Sequence, residues 1–520
     1  MHPISNILIL DFGSQYTQII ARRIRECHVY SEIVPYYVSM AQVQAAAPSG
    51  IILSGGPSSV YSPSAPSLDK KIYELGIPIL GICYGVQIIA KDFGGIVEKS
   101  SHREYGPGIL HVDRHCLLFR GLPDKVNVWS SHRDRIISLP RGFCAVGQTE
   151  NSPYAAVASQ ERHIYGLQFH PEVTHTPCGR DILQNFLTVV CKCIPNWTAE
   201  AFIARACEEL RKKIGKGQVI LGLSGGVDSY VAATLLQRAI GKQLTCVFVD
   251  NGFLRAGESQ AVNKLFTCNF HGVRLETVDA SGSFFSRLRG IIDPERKRKV
   301  IGNEFIRIFQ LTAQQLQIAS KRPFRYLAQG TLYPDVIEST SFANSSSSPI
   351  KSHHNVAGLP PQMEFELIEP LRHLFKDEVR EVGLKLGLPQ ELVYRQPFPG
   401  PGLAIRILGK ITRRRLHILR GADAIVTEEM QTSGWYNKVW QSFAILLPIC
   451  SVGVMGDERT YESAIAIRIV ESRDGMTANW VPVPYSLLAK ISSRITNEIS
   501  GVNRVCYDIS SKPPATIEWE

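Results

Sequence analysis

The sequence predicts an α/β protein: two domains built on parallel sheets, over residues 1–195 and 196–395, and a small α+β domain over 396–520. Three observations lead there. Through the first two segments, apolar runs ending at glycine-containing turns alternate with helically spaced apolar residues, as strands and crossover helices of parallel sheets do. The 520 residues have room for about three domains of ordinary size. In the last segment the pattern changes to two strand-like runs and one amphipathic helix.

In the first segment the strand-like runs are ILILDFGSQ (7–15), GIILSGGP (50–57) and IPILGICYGVQ (77–87), with a helical pattern over 16–25. Ligand sites in parallel sheets lie at the carboxyl ends of strands. The third run carries Gly81-Ile82-Cys83-Tyr84-Gly85, the glycine-flanked pattern of a sharp strand-to-helix elbow around a nucleophile. A cysteine there faces a helix N-terminus, which favours the thiolate. FHPEV (169–173) offers its proton carrier. On a strand predicted over 164–173, His170 and Glu172 are two apart and share a face, so Glu172 would hold the imidazole while His170 faces Cys83. A lone buried cysteine reads as packing, and a lone histidine beside proline as structure. The elbow and the His/Glu pair together argue for catalysis.

The second segment opens with an amphipathic helix over 197–214 and a buried strand over 218–223, then LGLSGGVDS (221–229) and a helix over 230–240. A strand, a Gly-Gly turn and a helix N-terminus make an anion site. Ser224, Gly225, Gly226, Val227, Asp228 and Ser229 form it, with the two serine hydroxyls as further donors. It is not the GxxxxGK[ST] loop, since it has no lysine. Asp228 would repel a bare phosphate, so the site calls for Mg²⁺ between the carboxylate and the phosphate oxygens. Further strands are predicted at 244–250, 273–280 and 324–331; Asp250 ends the first of them, where a ribose or adenine contact fits. Asp335 is a second acidic candidate, for metal or pyrophosphate. RKRK (296–299) opens a helix, and a Ser-rich stretch leads to Lys351, His353 and His354, expected on a mobile loop that closes over triphosphate.

In the last segment PFPGPGL (397–403) reads as a linker. Strands are expected at 464–470 and 505–509, and a helix over 485–499 with Leu487, Leu488, Ile491, Ile495 and Ile499 on one stripe. A sheet this small is expected to bury its remaining apolar face on a second copy of the chain, giving a homodimer, or else within the chain. The tail KPPATIEWE is expected to dock rather than fray.

Lys plus Arg number 57 against 47 Asp plus Glu, a balance of +10, which suits nucleic acid or an enzyme handling phosphate-rich small molecules. No apolar run is long enough for a membrane span and no signal peptide is read, so the cytoplasm is expected. The 12 cysteines include no CxxC pair, which argues against a zinc site or a disulfide framework.

SGGVDS resembles the PP-loop of the ATP pyrophosphatases, an adenine-nucleotide alpha-hydrolase-like fold that splits ATP between its α- and β-phosphates. GICYGVQ and FHPE resemble the class I glutamine amidotransferases. Together with DERTYESAIAIRIVES (457–472) and DISSKPPATIEWE (508–520), they make the whole chain resemble the glutamine-hydrolysing GMP synthases. The resemblance implies that Cys83, His170 and Glu172 release ammonia from glutamine, with the N–H groups of Gly56 and Tyr84 holding the oxyanion. It implies that ATP with Mg²⁺ adenylates the C2 oxygen of XMP and that ammonia displaces AMP to give GMP. It also implies XMP contacts at Lys512, Glu518 and Arg298, and a dimer through the C-terminal segment. Residues 131–134 read SHRD where the family shows SHGD, so Arg133 bears on the conformation expected of that loop. Other PP-loop amidotransferases fit less well: residue 2 is His rather than the cysteine of the asparagine-forming type. A tRNA-modifying or tRNA-binding PP-loop protein is the reading from another class. It is motivated by the basic balance, but no paired cysteines or RNA module accompany it.

Overall fold

The run NILILD forms β1 (Asn6–Asp11), with Ile7, Leu8, Ile9 and Leu10 buried. Burial on both faces is what a strand inside a parallel sheet requires. The structure, a computed structural model, describes residues 5–320, 322–342, 365–455, 457–472, 475 and 477–520. The expected lid residues Lys351, His353 and His354 lie outside the described residues. The chain divides into two compact units, Met1–Phe202 and Ile203–Glu520.

In the first unit β1 is joined by β2 (Tyr30–Pro35), β3 (Gly50–Leu53), β4 (Ile79–Ile82), β5 (Ile96–Val112), β6 (Lys125–Ser138), β7 (Cys144–Gln148), β8 (Ala156–Ser159) and β9 (Ile164–Leu167). They form one nine-stranded sheet in the order β2-β1-β3-β4-β9-β8-β7-β5-β6. The half from β2 to β9 is parallel, and the half from β9 to β6 is antiparallel. The expectation of a parallel sheet therefore holds for one half only. Val126, Val128, Ser130 and His132 alternate inward along β6, the pattern of a strand with one solvated face, which yields no continuous apolar run to detect. The predicted strand over 164–173 is also corrected: β9 stops at Leu167, and His170 and Glu172 lie in the turns that follow.

The second unit begins its sheet with β10 (Gln218–Gly222), β11 (Leu244–Asp250), β12 (Arg274–Asp279), β13 (Phe324–Ala328) and β14 (Glu366–Ile368). All pairs are parallel, in the order β12-β11-β10-β13-β14. The chain runs outward from β10 to β12 and then returns to the other side of β10. The loop after β10 therefore sits at the topological switch point, where such sheets open a crevice.

A second sheet in this unit contains β15 (Gln441–Met455), β16 (Glu458–Glu471), β17 (Asn479–Trp480) and β18 (Val502–Tyr507), with β18 parallel to β16. It has four strands where two or three were expected, because the long β15 and the two-residue β17 were not read from the sequence. The helix Tyr485–Glu498 buries Leu487, Ile491 and Ile495 in one apolar cluster with Ile465, Leu446 and Val502 of that sheet and with Ile220 and Val247 of β10 and β11. The stripe is thus covered within the chain. Residues 397–403 are not a free linker: Leu403 is buried and its N–H donates to Phe253 O at 2.8 Å. Among the described residues, no helix is long and apolar enough to cross a membrane.

Candidate active sites

Cys83 joins β4 to the helix Tyr84–Asp92 with φ 51° and ψ −105°, a strained conformation for a residue with a side chain. The chain can turn this sharply because Gly85 has no side chain: a Cβ there would stand 2.4 Å from Leu53 O of β3. The turn leaves the Cys83 thiol 7% exposed and aimed at Ser131 O, 3.8 Å from Sγ. Gln168 Nε2 lies 4.0 Å from the same sulfur. Gly56 N–H and Tyr84 N–H have no acceptor among the described residues, as a first-turn N–H of a helix has none of its own.

His170 Nδ1–H donates to Glu172 Oε1 at 2.7 Å, with both side chains buried. A turn brings them together rather than a shared strand face. It is pinned by His170 N–H to Trp129 O at 2.9 Å, by Thr176 Oγ1–H to His170 O at 2.7 Å, and by Arg23 Nε–H to Glu172 O at 2.9 Å. Burial alone would push the imidazole down. The Glu172 carboxylate and hydrogen bonds to Cys83 and Glu172 outweigh it and push His170 up to about 11. Glu172 Oε2 is buried with no hydrogen-bond partner, so this carboxylate is matched by the imidazolium beside it. A sulfur at a strained elbow and a buried imidazole with a carboxylate behind it suit nucleophilic attack on a carbonyl with proton return to the leaving group.

Residues 131–134, expected as a loop, lie inside β6. Arg133 is exposed and its Nε–H donates to the Tyr105 hydroxyl at 3.1 Å. The carbonyls of Ser131 and Asp134 face the nucleophile's helix, the latter taking Gln87 Nε2–H at 2.9 Å.

In the second unit, residues 224–229 pass from β10 into the helix Val227–Ile240, with Gly226 as its N-cap. Gly225 has φ 79°, a left-handed conformation that suits glycine. The hydroxyls of Ser224 and Ser229 lie 3.2 Å apart, and Ser229 Oγ–H donates to Gly226 O at 2.8 Å. Asp228, in the first turn, has both carboxylate oxygens on Lys376 Nζ, at 2.6 and 2.7 Å. The loop's underside is held by Arg395 and Glu258. Asp250 ends β11, one strand away, and its Oδ1 accepts the Gly252 N–H at 2.9 Å. Asp335 Oδ2 takes the Leu332 N–H at 3.0 Å at the start of the helix Tyr333–Phe342.

The tail docks. Arg406, fully buried beneath Phe443, holds the Glu518 carboxylate with Nε and Nη2 at 3.0 and 2.8 Å, and Gln441 Nε2–H adds a bond at 3.0 Å. Arg298 reaches the Glu520 backbone oxygen, and the buried Lys297 reaches the Glu520 carboxylate and Ile407 O. Lys512 Nζ donates to Gly475 O at 2.8 Å. The structure thus places Arg298, on the helix Pro294–Ser320, against the docked tail that carries Glu518. Sequence reading missed Lys376, Arg395, Arg406 and Gln441. Lys376 is 148 positions from Asp228, and no local pattern connects them.

An elbow cysteine with a buried His/Glu pair, followed by a switch-point anion loop, defines an amidotransferase joined to a nucleotide-cleaving synthetase module. Family models match accordingly: glutamine amidotransferase class-I over residues 8–190, NAD synthase over 201–280, and GMP synthase C terminal domain over 428–519. The chain is 55% identical over 524 residues to a glutamine-hydrolysing GMP synthase of Thermomicrobium roseum, covering 100% of this chain and 98% of the relative. It is 56% identical to one of Brachyspira hyodysenteriae, covering 99% of each. The chain belongs to the glutamine-hydrolysing GMP synthases.

Proposed function

We infer that this chain makes GMP from XMP, ATP and glutamine, releasing AMP, pyrophosphate and glutamate. One observation carries the reading: a strained, buried cysteine elbow backed by His170–Glu172 and a switch-point phosphate loop occur in one chain that is similar over its full length to GMP synthases. In this reading Cys83 attacks the glutamine side-chain amide, and His170 passes the proton to the departing ammonia. Glu172 keeps the imidazole oriented and its charge matched. The N–H groups of Gly56 and Tyr84, free of other acceptors, receive the oxyanion. Water then cleaves the thioester.

At the second site the XMP C2 oxygen attacks the α-phosphorus of ATP, and the bond to the β-phosphate breaks. Pyrophosphate leaves into the loop of Ser224, Gly225, Gly226, Val227, Asp228 and Ser229, with Asp250 beside the nucleoside. Ammonia attacks the activated C2 carbon and AMP departs. The donors fit Mg²⁺ carried in with the triphosphate: Asp228 offers hard carboxylate oxygens, is 29% exposed, and magnesium takes one or two carboxylates together with phosphate oxygens. Bound there, the ion would offset phosphate charge beside Asp228.

Lys512, Glu518 and Arg298 are proposed to serve XMP, a lysine suiting its phosphate and a glutamate its purine N–H groups. The docked tail supports this by holding that segment in a fixed place. A homodimer through residues 396–520 is proposed on the exposed apolar side chains Ile449, Val452, Val454 and Tyr461 of the β15–β16 hairpin. All 12 cysteines are free, which supports a reducing cytoplasm. Purified protein given ATP, Mg²⁺, glutamine and XMP is expected to release AMP and pyrophosphate with GMP. Release of ADP, or ATP consumption indifferent to XMP, would overturn the reading. Tight, salt-steep binding of tRNA would favour the RNA alternative.

A further inference from the structure

We propose that Arg395, clamped by the buried Glu258, is a positioning residue that fixes the Gly225–Gly226 peptide of the phosphate loop in its anion-accepting orientation. The proposal rests on reading residues 224–229 as the ATP site. A loop that offers backbone N–H groups to phosphate also carries carbonyls, whose negative ends must point elsewhere. Gly226 O is taken by Ser229 Oγ–H at 2.8 Å. Gly225 O is taken by Arg395 Nη1–H at 3.3 Å, from 170 positions along the chain. In a trans peptide the C=O and the next N–H point in opposite directions. Holding Gly225 O on the guanidinium therefore turns Gly226 N–H to the other side. There its acceptor among the described residues is the Ser224 hydroxyl, at a long 3.4 Å that a phosphate oxygen can displace.

Two consecutive glycines do not set this orientation themselves, because neither has a Cβ to forbid the flipped peptide. The restraint comes from outside the loop. Arg395 cannot swing away freely, since Nη2–H donates to Glu258 Oε1 at 2.5 Å and Glu258 is 6% exposed. Glu258 Oε2 in turn accepts the Arg255 N–H at 2.9 Å, at the start of the helix Glu258–Asn269. The carboxylate also lies directly under the loop, with Oε1 3.7 Å from where a Cβ on Gly225 would stand. A guanidinium can bond a carbonyl and a carboxylate at once through a planar fork; an ammonium offers no such pair of parallel donors. Because Arg395 and Glu258 cancel in charge, their contribution to anion binding is orientation rather than attraction.

The test uses the full chain with XMP and ammonium as nitrogen donor, and inorganic pyrophosphate as the probe of the loop. Arg395→Gln and Arg395→Lys are both expected to raise KM for ATP and to weaken inhibition by pyrophosphate by roughly ten- to a hundredfold, the loss of a charge-assisted hydrogen bond. KM for XMP should not move, a selectivity that general loosening of the unit would not produce. Glu258→Gln should shift ATP and pyrophosphate in the same direction by a smaller factor. The proposal fails if Arg395→Gln and Arg395→Lys leave both ligands as tight as before. It also fails if Glu258→Gln tightens pyrophosphate while the Arg395 variants weaken it, since Arg395 would then be a direct ligand that Glu258 restrains. Asp228→Ala separates this from the parent reading: if that variant cleaves ATP normally, the loop is not the ATP site at all.

Discussion

Cys83 and Asp228 occupy equivalent places, each at the start of a helix that follows an inner strand of a parallel sheet, yet they are held by opposite means. Cys83 is set by backbone: a positive φ, a glycine packed on Leu53 O, and a His/Glu pair two residues apart in one turn. Asp228 is set by side chains from far along the chain, with Lys376 on its carboxylate and Arg395 behind its loop. The first arrangement suits the proposed roles, because a nucleophile must meet its proton carrier at a fixed distance. The second is built of charge pairs that a polyphosphate, if it binds there as proposed, would trade for its own. Backbone strain suits a bond-making centre, and exchangeable ion pairs suit a centre that receives a large anion.

The comparison breaks most sharply at the sulfur. Cys83→Ala is expected to lower glutamine-dependent synthesis by roughly three orders of magnitude or more while leaving ammonium-dependent synthesis intact. Glutamate and AMP release, assayed separately, check it. Loss of both activities would mean that the two sites are not separately built.

A smaller effect is expected behind the histidine. Glu172→Gln should reduce glutaminase turnover by roughly a hundredfold or more, through loss of the group that orients and charge-matches the imidazole. It carries a pH signature as well. His170 rises from an ordinary 6.5 to about 11 in the folded chain, so the folded state holds its proton more tightly than the unfolded one. The stability this adds is complete below about pH 6.5 and is lost as pH rises through about 11. Thermal melting from pH 6 upward should therefore show a gap between the parent chain and Glu172→Gln that closes toward pH 11. A gap constant with pH would show that the carboxylate packs without charging the imidazole.

The smallest effect is expected at Arg133. Its side chain is solvated on the outer side of β6, so Arg133→Gly should change glutaminase kcat/KM by about twofold at most. A larger change would show that the side chain reaches the glutamine site.

The parallel strands were legible because burial on both faces writes an unbroken apolar run, as in LTCVFVD, which coincides with β11 (Leu244–Asp250). The antiparallel half of the first sheet left no such run. Its inward residues alternate with Asn127, Arg133 and other polar side chains, and its hairpin partners are set by register rather than composition. The elbow glycines, Cys83, and the Ser224–Ser229 loop are local, and their geometry could be anticipated from spacing. The nearness of His170 and Glu172 was anticipated for the wrong reason, since a turn rather than a strand face joins them. Lys376 and Arg395 could not be read at all: only the fold brings residues 148 and 170 positions away onto the loop. The stretch at 397–403 misled for a related reason, because prolines and glycines that look like punctuation also let backbone pack tightly against a neighbour.

The contact between Lys376 and Asp228 has a consequence for how the nucleotide arrives. With Asp228 matched by Lys376, a loop that serves triphosphate as proposed would present no net negative charge to it. If Asp228 instead held a cation that came with the triphosphate, Lys376 would be free to pair with the anion. Under that reading one ammonium group would serve first as a stand-in for metal and then as a partner for phosphate, and the exchange would pass through no unmatched charge.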